Sequence, residues 1–199
     1  MKKYIFLGSS VTYGSAAGGH SFVDILAEKY QIDCTKEAVS GTTLVDNGPD
    51  SYVQRMILNL DKKMECEQFI CQLSTNDAAQ NMPLGEISVS TKLEDFDTST
   101  IIGAMEYIIC YARTTWKCFV TFYTNTYYNS ENYQNMVDAL YLIKEKWNIG
   151  IIDLWNNVEM HNLAEEKYDV YMADVIHPTE LGYREWWLPE FEKYFKIEK

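Results

Sequence analysis

Five short runs of strand character, each separated from the next by a longer stretch of helical period, constrain this chain more than any other feature. The runs are "YIFLG" (4–8), "CTKEAV" (34–39), "QFICQL" (68–73), "CFVTFY" (118–123) and "IGIIDL" (149–154). Most are apolar almost without a break, which is the pattern of strands covered on both faces. Between them, "SFVDILAEKY" and "YVQRMILNLDKKM" read as helices. Further on, Ile101, Met105, Ile108 and Ala112, then Met136, Leu140, Ile143 and Trp147, recur at helical spacing. Strands alternating with helices predict an α/β fold, a three-layer α/β/α sandwich around a parallel sheet of about five strands.

Two stretches stand apart from this rhythm. Residues 75–99 have no clear period and follow the end of a strand, so they are a candidate wall or lid for a site. The C-terminal "TELGYREWWLPEFEKYF" is helical in pattern, with Pro189 expected to break or kink it after Trp187. No repeat, linker or composition shift divides the 199 residues, so a single domain over 1–199 is expected.

The formal charge of −12 would repel polyanions, which argues against nucleic acid and anionic membrane surfaces as partners. No apolar run approaches the roughly 18 to 20 residues of a membrane span. The opening "MKKYIFLGSSVTYG" has two lysines and then only five apolar residues before polar ones follow, too few for a signal peptide. Met1 is therefore expected to be the start of a cytoplasmic protein. The five cysteines include no C-x-x-C pair and are expected to be reduced and mostly buried. With three histidines and no zinc-like spacing, a zinc site built from cysteine and histidine is not expected.

In an open parallel sheet, ligands bind beyond the carboxyl ends of the strands. Gly8, Ser9 and Ser10 follow the first strand, Ser40 and Gly41 the second, and Ser74, Thr75, Asn76 and Asp77 the third. Before the last helix comes "ADVIHPTELGY", with Asp174 and His177. A serine hydroxyl becomes a useful nucleophile when an imidazole can take its proton, and a carboxylate on the far ring nitrogen fixes the tautomer. Backbone N–H groups and an amide can stabilise the resulting oxyanion. The set therefore suits acyl transfer. The glycine-rich turn "GSSVTYGSAAGG" could alternatively cradle phosphate, but it lacks the lysine of G-x-x-x-x-G-K-[ST], and no G-x-G-x-x-G is present.

These blocks, in this order, resemble those of the SGNH hydrolases, the GDSL esterase and lipase superfamily. "GSSVTYG" (8–14) resembles G-D-S-x-T-x-G and aligns Ser10 with the nucleophile; "AVSGTTL" supplies the second block's glycine at Gly41. "STND" (74–77) resembles G-x-N-D, placing the oxyanion asparagine at Asn76, and "DVIH" (174–177) supplies Asp174 and His177. The resemblance implies a flavodoxin-like sandwich and a cofactor-free esterase or deacetylase with Ser10, His177 and Asp174 as triad. Ser10, Gly41 and Asn76 would be its oxyanion donors, with Ser9 and Asp77 in support. Two positions depart from the pattern: Ser9 stands where the family has aspartate, and Ser74 where it has glycine.

The expected substrate is a small ester, its acyl group carried on a carbohydrate or similar neutral alcohol. An acyltransferase, or a ligand-binding module of the same fold without activity, are the alternatives. Tyr13 and the loop aromatics of 123–133 are candidates to stack on a sugar ring, whereas His20, His161, Trp186 and Trp187 are expected to be structural.

Overall fold

In the computed structural model, which describes residues 2–196, the five runs form one parallel sheet in the order β2-β1-β3-β4-β5. The strands are β1 (Lys3–Gly8), β2 (Asp33–Ala38), β3 (Gln68–Gln72), β4 (Phe119–Tyr123) and β5 (Gly150–Ile152). Register explains their unbroken apolar character. Ile5 lies opposite Phe69 and Phe69 opposite Val120, while Phe6 lies opposite Ile70. Because side chains alternate along a strand, the first set enters one core and the second set the other.

One face is covered by α3 (Tyr52–Asn59), α5 (Ile101–Thr115) and α6 (Glu131–Trp147), with Tyr52, Met105 and Leu140 among the buried residues. The other is covered by α2 (Phe22–Tyr30) and the C-terminal α9 (Glu180–Gly182) and α10 (Leu188–Phe195), through Phe22, Trp187 and Phe191. The helices start where their sequences supply a cap: Ser21 on α2, Ser51 on α3, Thr100 on α5 and Ser130 on α6 each accept a backbone N–H. Four shorter helices complete the fold: α1 (Ser10–Tyr13), α4 (Thr75–Ala79), α7 (Val158–His161) and α8 (Glu165–Tyr171).

The chain leaves β1 over one face, through α2, and β2 over the other, through α3. The order therefore reverses between β1 and β3, the point at which α/β sheets open a crevice at their carboxyl edge. Ser10 and Asn76 follow the two strands that flank it.

Two expectations need correction. The C-terminal helix does not break at Pro189. Helical backbone continues from Glu180 to Phe195, with a wide π turn over Tyr183–Trp187 ahead of the proline. A π turn accommodates the missing N–H and the ring of Pro189 without ending the helix. Residues 75–99 do not form a lid, although their first residues do wall the site, with Asn76 bonded to Thr42 and Gln80 beside Gly41. They begin with α4 and then run as a strap along α5 and α6, because Glu106 is fully buried and needs donors. Its carboxylate accepts the Ser88 N–H at 2.9 Å, the Trp147 indole N–H at 2.9 Å and the Lys146 ammonium. Lys146 also donates to the Ser90 carbonyl at 2.6 Å.

All five cysteines are unpaired and buried or half-buried. Among the described residues no helix is long and apolar enough to cross a membrane, and no group of three or more His, Cys, Asp or Glu could hold a metal.

Candidate active site

Ser10 opens α1 directly after β1, and the turn that presents it is tightly determined. A Cβ on Gly8 would lie 1.7 Å from Thr12 Oγ1 and 2.8 Å from Gln72 Oε1, so only glycine fits there. The Gln72 side-chain carbonyl accepts the Ser9 N–H at 2.9 Å, the Thr12 N–H at 3.2 Å and the Thr12 hydroxyl at 2.7 Å. One amide on β3 thus anchors the start of α1, while Gly14, at φ +92°, turns the chain away at its end.

Ser10 Oγ lies 2.8 Å from His177 Nε2. On the far side of the ring, His177 Nδ1 is 2.8 Å from Asp174 Oδ2 and 3.0 Å from Oδ1. Asp174 Oδ1 also accepts the backbone N–H groups of Ile176, at 2.7 Å, and His177, at 2.9 Å. The D-x-x-H spacing is therefore a side-chain-to-backbone turn that carries the carboxylate back to the imidazole. An Nδ1–H held by the carboxylate leaves the Nε2 lone pair facing the Ser10 hydroxyl. Partial burial tends to raise the Asp174 carboxyl. The hydrogen bonds from the His177 ring and the two backbone N–H groups outweigh it and hold the group below the usual carboxylate range.

The other half of the site lies across the sheet edge. Asn76 is in the first turn of α4, and its amide donates to the Thr42 carbonyl at 2.8 Å, which fixes its orientation and leaves its second N–H for another acceptor. Gly41 sits at φ +81°, a left-handed conformation suited to glycine, and a Cβ there would meet no protein atom within 4 Å. Among the described residues the N–H groups of Ser10 and Gly41 donate to no protein acceptor. Asp77 is fully buried and accepts the N–H groups of Leu44 at 2.8 Å and Val45 at 3.0 Å, tying the loop after β2 to α4. Burial raises its carboxyl above the usual range despite hydrogen bonds from Ser74 and those amides.

The two departures from the block pattern have different structural outcomes. Ser74 caps α4 by accepting the Asp77 N–H at 3.4 Å, in an extended conformation that any residue adopts. Ser9 is fully buried beside the turn that presents Ser10, and among the described residues its hydroxyl and that of its neighbour Tyr52 have no hydrogen-bond partner.

Sequence reasoning missed three residues that organise this site. Arg55, on α3, is 2% exposed and donates to the Gly8 carbonyl at 2.8 Å, the Thr42 hydroxyl at 3.0 Å, the Asp50 carbonyl at 2.9 Å and the Glu37 carboxylate at 3.0 Å. It joins the end of β1 to the loop that carries Gly41. Thr42 links that guanidinium to Asn76, and Gln72 holds the turn that presents Ser10. The available signal was polarity in apolar company: an arginine beside Tyr52, Val53 and Met56, and a glutamine closing "FICQ".

The aromatic expectations divide. Tyr127 is half-exposed and, with Tyr168 and Trp186, lines a cleft of about 380 Å³, so Trp186 is not only an anchor. Tyr133 and Trp187 are buried in the core, and the exposed Tyr13 packs against Gly19 and Lys36. His161 lies against the Trp155 carbonyl and also lines that cleft, and His20 lies against Glu28.

Comparison with known proteins gives a consistent picture. The GDSL-like lipase/acylhydrolase family matches residues 6–185. No curated protein gives a significant match. Among solved structures, a protein from Lactobacillus plantarum superposes with a TM-score of 0.81 at 17% identity, covering 100% of this chain and 98% of that one. A member of the lipolytic protein G-D-S-L family from Veillonella parvula gives 0.68 at 17% identity with both chains fully covered. A family two carbohydrate esterase from Clostridium thermocellum, in complex with cellohexaose, gives 0.67 at 13% identity, covering 98% of this chain and 65% of that one. At these identities the likeness to the solved structures is one of fold.

Proposed function

The chain belongs to the GDSL-like lipase/acylhydrolase family, and on that premise we propose that it is a serine esterase removing small acyl groups. The observation that carries this reading is the hydrogen-bonded row Ser10, His177, Asp174 at the carboxyl edge of the sheet. In the proposed reaction Ser10 Oγ attacks the ester carbonyl while His177 Nε2 takes its proton, and Asp174 stabilises the imidazolium. The N–H groups of Ser10 and Gly41 and the free N–H of Asn76 receive the oxyanion, each well-placed donor contributing about 3 to 4 kcal/mol. His177 returns the proton to the departing alcohol. Water, activated by the same imidazole, then releases the acid and frees Ser10.

A small acyl group is favoured because the 80–99 strap is committed to α5 and α6 and supplies no apolar cover for a long chain. The likeness to a carbohydrate esterase supports an acylated sugar or similar neutral alcohol as substrate. Hydrolysis is favoured over transfer because the Asp174 and His177 side chains are 54% and 25% exposed, which admits water to the acyl-enzyme. A ligand-binding module without activity is the rival reading, favoured by the unpartnered hydroxyls of Ser9 and Tyr52 under the nucleophile.

Short-chain p-nitrophenyl esters separate the two. The esterase reading expects turnover that disappears in Ser10→Ala and persists in Ser9→Ala. No turnover by the wild type, with no fluorophosphonate labelling, would establish the binding module.

A further inference from the structure

Next to the proposed oxyanion loop lies a polar pocket of about 320 Å³ whose lining includes Gly41 and Thr42. That volume is at the small end for ligand sites. Three exposed side chains on its wall have unused hydrogen-bonding capacity. Among the described residues, the Asp50 carboxylate and the Gln80 amide bond to no protein group, and Asn47 uses only its oxygen, which accepts the Thr43 hydroxyl at 2.8 Å. The pocket thus offers a carboxylate acceptor, an amide N–H donor and an amide that can do both.

Two lining residues are tied to one anchor. Arg55 donates to the Asp50 carbonyl at 2.9 Å and to the Thr42 hydroxyl at 3.0 Å, so one buried guanidinium braces both. Gly41 faces open space rather than protein, as the absence of any atom within 4 Å of a Cβ there shows. Such a site is largely pre-formed, which reduces the cost of ordering it on binding.

We propose that this pocket is the subsite for the alcohol half of the substrate, and that the alcohol is neutral and polyhydroxylated, with vicinal hydroxyls placed between Asp50, Asn47 and Gln80. The proposal rests on the esterase reading above: with a small acyl group, only the alcohol is long enough to reach a wall beyond the oxyanion donors. The charge and polarity of the lining set the chemistry. Asp50 opposes a phosphorylated or carboxylated alcohol, and among the described residues no lysine or arginine lines the pocket to offset it. Among the described residues Val39 and Pro49 are its only large apolar contributors, too little to hold an aliphatic alcohol. A hydroxyl, in contrast, can donate to the carboxylate and accept from the amides.

The test compares two acetates, a monoacetylated methyl glucoside and the smaller, apolar hexyl acetate, by kcat/KM on the full chain. The wild type is expected to prefer the glucoside. Asp50→Ala and Gln80→Ala are each expected to reduce that preference about tenfold or less, the loss of a hydrogen bond to ligand. Asp33→Ala, at the opposite edge of the sheet, serves as control and should leave the preference as it is. A wild-type preference for hexyl acetate, or a glucoside preference that survives both substitutions, would overturn the subsite while p-nitrophenyl acetate turnover still upheld the esterase. Loss of all turnover and of fluorophosphonate labelling in the wild type would remove both.

Discussion

Arg55 donates to the Thr42 hydroxyl at 3.0 Å, and the Thr42 carbonyl in turn accepts the Asn76 amide at 2.8 Å. A buried cation on a helix is therefore connected, through one threonine, to the side chain proposed to meet the oxyanion. The same guanidinium reaches the Gly8 carbonyl, two residues before Ser10.

Arg55→Met is expected to lower kcat more than it raises KM, because it loosens the oxyanion loop without touching bound substrate. It also leaves Glu37 and several carbonyls unpaired at a buried position, a loss of about 3 to 5 kcal/mol. Arg55→Lys should recover part of the stability but less of kcat, since an ammonium cannot reproduce the fork that joins Gly8 to Thr42. Steady-state kinetics and urea denaturation check both.

Gln72→Leu removes the shared acceptor of two backbone N–H groups and a hydroxyl at the nucleophile turn. Burying the two N–H groups unpaired costs about 1 to 3 kcal/mol each, before relaxation, whereas the Thr12 hydroxyl keeps the Tyr123 hydroxyl as a partner. The variant is expected to lose stability and to react more slowly with a fluorophosphonate, measured by denaturation and by labelling rate.

Glu106→Ala should destabilise the fold by about 3 to 5 kcal/mol, because it strands Lys146, the Trp147 indole and the Ser88 N–H. Turnover per folded molecule should be preserved. A large fall in kcat for the folded variant would return the 80–99 strap to the role of a lid.

Asp77 gives a pH dependence of stability. Its folded-state carboxyl is raised, so the folded chain holds that proton more tightly than the unfolded chain, whose value is near the reference of about 3.9. The contribution is complete below that reference and is lost as pH rises through the raised value. The stability of the wild type relative to Asp77→Asn should therefore decline from pH 4 toward neutrality, as read by denaturation at a series of pH values.

The fold was legible in the sequence because most of its strands are apolar on both faces, the polar edge strand β2 excepted, and its helices carry a clean period. Ile5, Phe69 and Val120 announce a parallel sheet before any coordinates are known. The polar framework was less visible. Ser10, Asp174 and His177 stand in recognisable blocks, and the structure brings them within hydrogen-bonding distance. Arg55 and Gln72 act through folding contacts with residues 47 and 63 positions away, Gly8 and Ser9, and no local spacing encodes such pairs. Glu106 was hidden for the same reason: a lone acid in "IIGAMEYIIC" gives no hint that it gathers the strap behind it. Pro189 misled because a proline near the start of a helical segment is tolerated where the preceding turn can widen.

The hydroxyl that becomes covalently bonded distinguishes Ser10 from Ser9 most directly. Peptide mapping by mass spectrometry after fluorophosphonate treatment is expected to place the adduct on Ser10, with labelling strongly reduced in His177→Ala although that variant remains folded. An adduct on Ser9, or labelling of Ser10 that is indifferent to His177, would contradict it.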